Sequence, residues 1–188
     1  MIIIEDDYLL DEDFKRLQEY CRQDFYVKRA GTEDEWKEFL VLDTPKWLRS
    51  ELEMDGYEII LSFIRKAHSE FDTEPRIHSD GIIMDRHVDM ASVLYINDSE
   101  GVTPNGTSFY DHAFFGGHLP KNVSGEVYND VLRDSNVIEF WEQKDKIYAE
   151  PNRLLTYPAQ KFHAKFPSKI EKGERIVCVT FYAEKNEE

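Results

Sequence analysis

The residues most able to do chemistry lie in one short stretch, "PRIHSDGIIMDRHVDM", from Pro75 to Met90. His-x-Asp occurs twice there, as His78-Ser79-Asp80 and as His87-Val88-Asp89. On an extended strand, residues i and i+2 point the same way. Each pair therefore sets an imidazole beside a carboxylate, as two adjacent ligands of one ion. A further histidine from another strand would complete a two-histidine, one-carboxylate face with open positions, the arrangement suited to non-heme Fe(II) and oxygen chemistry. Only one pair can serve, and the residue types alone leave open which.

The C-terminal stretch strengthens this reading. "NRLLTYPAQKFHAKFPSKIEKGERIVCVTFYAE" holds His163 and, twelve residues later, Arg175. "PSKIEKGE" reads as a turn. Strands paired around it put Lys169 at the midpoint and His163 opposite Arg175, with Cβ atoms about 5 Å apart. An arginine inside a β-rich strand needs a partner, and a carboxylate held by two parallel hydrogen bonds suits a guanidinium. The competing reading has Arg175 at the strand start, facing solvent beside Glu174. Of the other histidines, His68 reads as part of a charged helix face, and His118 carries no signal.

The frame that must position these groups is 188 residues long, which suits one domain with a sizeable core. Hydrophobic residues make up 41% and aromatic residues 13%, so a disordered chain is excluded. The net charge is −15, with no Lys/Arg run to track a phosphate backbone, so no nucleic-acid partner is expected. Cys21 and Cys178 are too few for a disulfide framework or a cysteine-rich zinc site. "MIIIEDDYLL" lacks a basic flank and reads as a strand rather than a signal peptide. No window approaches 18 apolar residues. A soluble, cytoplasmic protein with no membrane contact is the expectation.

"LDEDFKRLQEYC" opens with acids and spaces Leu10, Phe14, Leu17 and Tyr20 as a helix does. "PKWLRSELEMDGYEIILSFIRKAHSEF" reads as one long helix or two divided at Gly56, with Trp47, Leu52, Ile59, Ile60, Phe63 and Ile64 as apolar points. From Pro75 onward the segments are short, β-rich and punctuated by turns. "VDMASVLYI", "GTSFYDHAFF", "NRLLTYP", "KFHAKF" and "ERIVCVTFYAE" are strand candidates. Residues 111–148 read as a long mixed excursion with some helix, placed to act as a lid. The expectation is an α+β, mainly β protein. A strand and flanking helices occupy 1–74, and a jelly-roll core of seven or eight antiparallel strands occupies 75–188.

In this order the chain resembles the 2-oxoglutarate- and Fe(II)-dependent dioxygenases, in particular their prolyl-4-hydroxylase-like branch. "IIIEDDYLLDEDFKRL" is similar to the opening strand and helix of that branch. "IHSD" is similar to its His-x-Asp, "ASVLYIND" to its L-x-Y-L-N strand, "FHAKFP" to the distal histidine, and "GERIVCVTF" to the cosubstrate arginine. "NGTSFY" resembles its Gly-Gly-x-x-x-aromatic turn, with Asn105-Gly106 in place of the glycine pair. The resemblance implies a double-stranded β-helix, with Fe(II) on a His/Asp/His set and 2-oxoglutarate and O₂ as cosubstrates. It places the far carboxylate of 2-oxoglutarate on Arg175 and Tyr95. It implies hydroxylation of a peptide side chain, an amino acid or another small molecule; a carboxylate at 80 favours this over halogenation. The alternative is a non-catalytic, cupin-like metal- or ligand-binding module.

The resemblance also separates the two His-x-Asp pairs. The far carboxylate of 2-oxoglutarate lies only about 6–7 Å from a metal it chelates. Asp89 and Tyr95 are six residues apart in one strand-like run, about 20 Å at 3.3 Å per residue. Asp80 is fifteen residues before Tyr95, with Gly81 and Asp85-Arg86 leaving room for the chain to turn back. His78, Asp80 and His163 are therefore the expected ligands, and His87 and Asp89 mark the entrance of the next strand. Tyr110 and His112 are candidates for the substrate-side wall.

Overall fold

The computed structural model describes residues 1–188 except 33–34, 72–75, 85, 98–101, 121–122 and 186–188. In chain order the elements are β1 (Ile3–Glu5), α1 (Asp11–Tyr20), β2 (Tyr26–Thr32), β3 (Glu35–Asp43), α2 (Lys46–Glu51), β4 (Tyr57–Ala67), β5 (Ile82–Ile83) and β6 (Arg86–His87). They continue with β7 (Met90–Tyr95), β8 (Gly106–His112), α3 (Gly125–Asp134), a 3-10 turn (Ile138–Phe140), β9 (Trp141–Tyr148), β10 (Leu154–Pro158), β11 (His163–Phe166) and β12 (Arg175–Glu184). A seven-stranded antiparallel sheet, β1-β10-β7-β12-β4-β3-β2, faces a three-stranded sheet, β11-β8-β9. This is the expected double-stranded β-helix.

Alternation along the central strands builds the layers. Ala91, Val93 and Tyr95 of β7 join Leu155 and Tyr157 of β10 and Val177 and Phe181 of β12 in a core between the sheets, closed by Phe109 of β8. The intervening residues, Leu94, Leu154, Ile176 and Cys178, pack on the other face against Leu17 and Cys21 from the first helical segment and Leu48 and Leu52 from the second. A third cluster covers the outer face of the small sheet, with Trp141, Phe162 and Ala164 meeting Val131 of α3, Leu119 and Ile77.

The N-terminal half departs from expectation. Residues 57–67 form an eleven-residue strand in the middle of the large sheet, not a helix. Apolar residues at 59, 60, 63 and 64 fit a helical period. They equally fit a strand buried on both faces, which loses the simple alternation. Ile64 packs with the helices, while Leu61 and Phe63 face the small sheet. The helix ends at Glu51, and Gly56, at φ +80°, closes the turn that leads into this strand. His68 accordingly sits at a strand end, paired with Phe71, rather than on a helix. Four of the seven strands of the large sheet, β1 to β4, precede Pro75.

The C-terminal turn also differs. β11 pairs with β8, whereas β12 pairs with β4 and β7. "PSKIEKGE" therefore crosses from one sheet to the other, and Arg175 lies opposite Ala67 rather than His163. The excursion proves to be largely built structure, since it contains α3 and β9, the edge strand of the small sheet.

Candidate active site

The segment carrying His78 and Asp80 is laid across the bend between β10 and β11. His78 and His163 exchange backbone hydrogen bonds, 3.0 Å from His78 N to His163 O and 2.9 Å in return. Asp80 N donates to Ala159 O at 2.8 Å. This extended pairing turns the side chains of 78 and 80 to one side, toward His163. Ligand atoms of His78, Asp80 and His163 all lie within 4.8 Å of one another. His78 Nε2 is 3.4 Å from Asp80 Oδ1, and His163 Nε2 is 3.1 Å from Asp80 Oδ2.

Backbone carbonyls set the tautomers. His78 Nδ1 lies 2.8 Å from Arg76 O, and His163 Nδ1 lies 2.9 Å from Lys161 O. A carbonyl only accepts, so each Nδ1 donates, and each ring turns Nε2 inward toward Asp80. Two imidazole nitrogens and one carboxylate, oriented by such backbone contacts, fit a divalent transition metal. Burial opposes ionisation of Asp80, but His163 and then His78 outweigh it and hold the carboxyl far below the usual range. Burial likewise depresses His163, and the Asp80 carboxylate reverses the shift upward. The His78 side chain is 33% exposed, against 11% for Asp80 and 7% for His163, so the site opens on the His78 side.

Arg175 and Tyr95 lie deeper between the sheets. Arg175 is buried, which removes the solvent-facing reading of this residue. Its guanidinium carbon is 5.7 Å from the centroid of the Tyr95 ring. The Tyr95 hydroxyl reaches across to Thr107 Oγ1 of the small sheet at 2.8 Å. Burial raises the Tyr95 hydroxyl, with the Arg175 charge opposing it. The register orders the interior. Tyr157 is level with Ala91, Leu155 with Val93, and Val177 with Tyr95, with Arg175 two residues before Val177 on β12. The His/Asp/His cluster lies beyond the Tyr157 end, where Asp80 pairs with Ala159.

The second His-x-Asp lies outside the cluster. His87 is exposed, pairs with Ile82 across β5 and β6, and places Nδ1 3.1 Å from Gly81 O. Asp89 accepts from Glu184 N at 3.0 Å through Oδ2, tying the start of β7 to the end of β12. His112 is closed into the aromatic cluster of Phe115, Trp141 and Phe162, its Nε2 3.2 Å from Asp134 Oδ2. Its side chain has no exposed surface, so it builds the outer core rather than an open wall. Tyr110 is half-buried beside the same cluster.

Sequence reasoning passed over three residues of this interior: Thr107, Phe109 and Tyr157. Tyr157 is fully buried, meets Phe109 edge-on at 5.1 Å, and places its hydroxyl 3.1 Å from His163 Nε2. Burial and then the Asp80 charge push this hydroxyl well above its ordinary value, so it is an O–H donor at neutral pH. The only signal for it in the sequence was the alternation of Leu155 and Tyr157 in "NRLLTYP".

The sequence matches no protein-family profile and no curated protein. Solved structures resemble the fold closely. The non-heme α-ketoglutarate-dependent carbocyclase SnoK from nogalamycin biosynthesis superposes with a TM-score of 0.65 over 97% of this chain and 79% of its own, at 13% identity. The epimerase SnoN in complex with Fe3+, α-ketoglutarate and nogalamycin RO gives 0.63 over 97% and 78%, at 10% identity. HygX from Streptomyces hygroscopicus, solved with iron bound, gives 0.59 over 98% and 82%, at 10% identity. The chain therefore has the double-stranded β-helix fold on which these non-heme, 2-oxoglutarate-dependent enzymes are built.

Proposed function

We propose that residues 1–188 form a single Fe(II)- and 2-oxoglutarate-dependent dioxygenase domain, a hydroxylase of the prolyl-4-hydroxylase-like kind. The substrate would be a small molecule, an amino acid or a peptide side chain. The observation that carries this reading is the pairing of two features in one interior. His78, Asp80 and His163 converge within 4.8 Å, and a buried arginine stacks on Tyr95 farther in. His78, Asp80 and His163 would hold iron through Nε2, carboxylate and Nε2. Arg175, with Tyr95, would take the far carboxylate of 2-oxoglutarate through a charge-assisted fork. Iron with 2-oxoglutarate and O₂ supplies an oxidation coupled to decarboxylation of the keto acid to succinate. The chain's own part is to orient the rings from the Arg76 and Lys161 carbonyls, to keep water from the inner end of the site, and to admit substrate past His78. Solved structures of this fold include a carbocyclase and an epimerase, so the test follows the cosubstrate rather than a hydroxylated product.

The protein is titrated anaerobically with Fe(II) and then 2-oxoglutarate, and a weak visible charge-transfer band is expected. Oxygen is then admitted and succinate is counted, with a broad substrate panel. A protein that gives neither band nor keto-acid turnover is a binding module, and the proposal fails.

A further inference from the structure

We propose that Tyr157 is a positioning residue for the cosubstrate, its hydroxyl donating a hydrogen bond to the keto-acid end of bound 2-oxoglutarate. This rests on the function proposed above. The starting point is one ring nitrogen. His163 Nδ1 donates to Lys161 O, which leaves Nε2 as the atom a metal would take, and the Tyr157 hydroxyl is 3.1 Å from it. With an ion on Nε2 this nitrogen cannot accept, and a fully buried hydroxyl needs an acceptor elsewhere. An ion held on Nε2 would therefore lie near this hydroxyl.

Two acceptors compete. Asp80 is one, but its two oxygens point at His78 Nε2 and His163 Nε2, into the position a metal would take. The other is the cosubstrate. Tyr157 stands between the His/Asp/His cluster and the Tyr95–Arg175 pocket in the register of the large sheet. Asp80, Tyr95 and Arg175 all act electrostatically on its hydroxyl. A keto acid chelating at the cluster with its far carboxylate on Arg175 would run past this hydroxyl. Phe109 holds the ring edge-on from the small sheet, so the hydroxyl is aimed rather than free to swing.

The test compares wild type with Tyr157→Phe, which keeps the ring and its contact with Phe109; circular dichroism checks the fold. Fe(II) affinity is measured without 2-oxoglutarate, then 2-oxoglutarate affinity and the position of the anaerobic band are measured with Fe(II) present. The expected result is unchanged Fe(II) affinity, about tenfold weaker 2-oxoglutarate binding for one lost hydrogen bond, and a shifted band. Unchanged 2-oxoglutarate affinity with an unshifted band overturns the assignment. Weaker Fe(II) binding in the absence of 2-oxoglutarate also overturns it, because the hydroxyl then serves Asp80. An intense ferric-phenolate absorption in aerated wild type, lost in Tyr157→Phe, would make the tyrosine a ligand and overturn it too. A wild type with no band at all defeats the proposed function, and this assignment with it.

Discussion

Arg175→Ala separates the cosubstrate pocket from the metal cluster. Arg175 begins β12, pairs with Ala67, and has its guanidinium carbon 5.7 Å from the Tyr95 centroid. If it grips a carboxylate through two charge-assisted bonds, truncation removes contacts worth about 1.5–3 kcal/mol each. The bonds act together, and the buried carboxylate is left without its partner, so a total of about 3–5 kcal/mol is expected. That is about two to four powers of ten in 2-oxoglutarate affinity. Fe(II) binding should hold, because Asp80 is hydrogen-bonded to Ala159, beyond the opposite end of the Tyr157 row. Arg175→Lys should recover only part of the loss, since a point charge does not reproduce the fork. Both affinities are read by anaerobic calorimetric titration, with folding checked by circular dichroism. A folded Arg175→Ala protein that binds 2-oxoglutarate as wild type does refutes the role given to this arginine.

His78→Ala and Asp80→Ala should each abolish stoichiometric Fe(II) binding in metal analysis, whereas exposed His87 can be changed to Ala with little loss; iron lost from folded His87→Ala but kept by folded His78→Ala would reverse the choice of pair. Gly106→Ala should destabilise the small sheet, because an added Cβ would sit 2.0 Å from Ile147 O and 2.7 Å from the Phe166 ring. Overpacking of this kind costs about 3 kcal/mol, or a fall of roughly 10 °C in melting temperature; an unchanged midpoint would contradict the packing. Cys21 and Cys178 should resist a thiol reagent at pH 8 in the native protein and react on denaturation, since both are buried and burial pushes the Cys21 thiol up to about 12.

How far the sequence could be read depended on which forces set each element. The later strands were legible because short apolar runs between turn residues have few other uses. β7, β8, β10, β11 and β12 all fall inside the expected segments. β4 was not legible, because burial on both faces erased the period that separates a strand from a helix. The β2–β3 hairpin gave no clear alternation and went unread. At the site, the chain reversal needed between Asp80 and Tyr95 is present as the antiparallel pairing of β5 with β6, Ile82 opposite His87. It brings Asp80 back beside the end of β10, where its N–H donates to Ala159 O.

Long-range geometry did not suffice for Arg175. A twelve-residue separation invited a hairpin, yet a jelly roll sends consecutive strands to opposite sheets. His163 therefore lies on β11 in the small sheet and Arg175 on β12 in the large one. The crossing is what makes the site usable. Two residues opposed in one ladder would have Cβ atoms about 5 Å apart, too close to leave room for a five-carbon diacid spanning about 6–7 Å from metal to far carboxylate. Placed on facing sheets, they enclose an interior lined by Tyr157, Phe109, Thr107 and Tyr95. That interior separates the ring nitrogen that would hold a metal from the guanidinium that would hold a carboxylate. Tyr157 escaped notice for the same reason: its importance lies in the His163 Nε2 it faces, a neighbour that only the folded chain reveals.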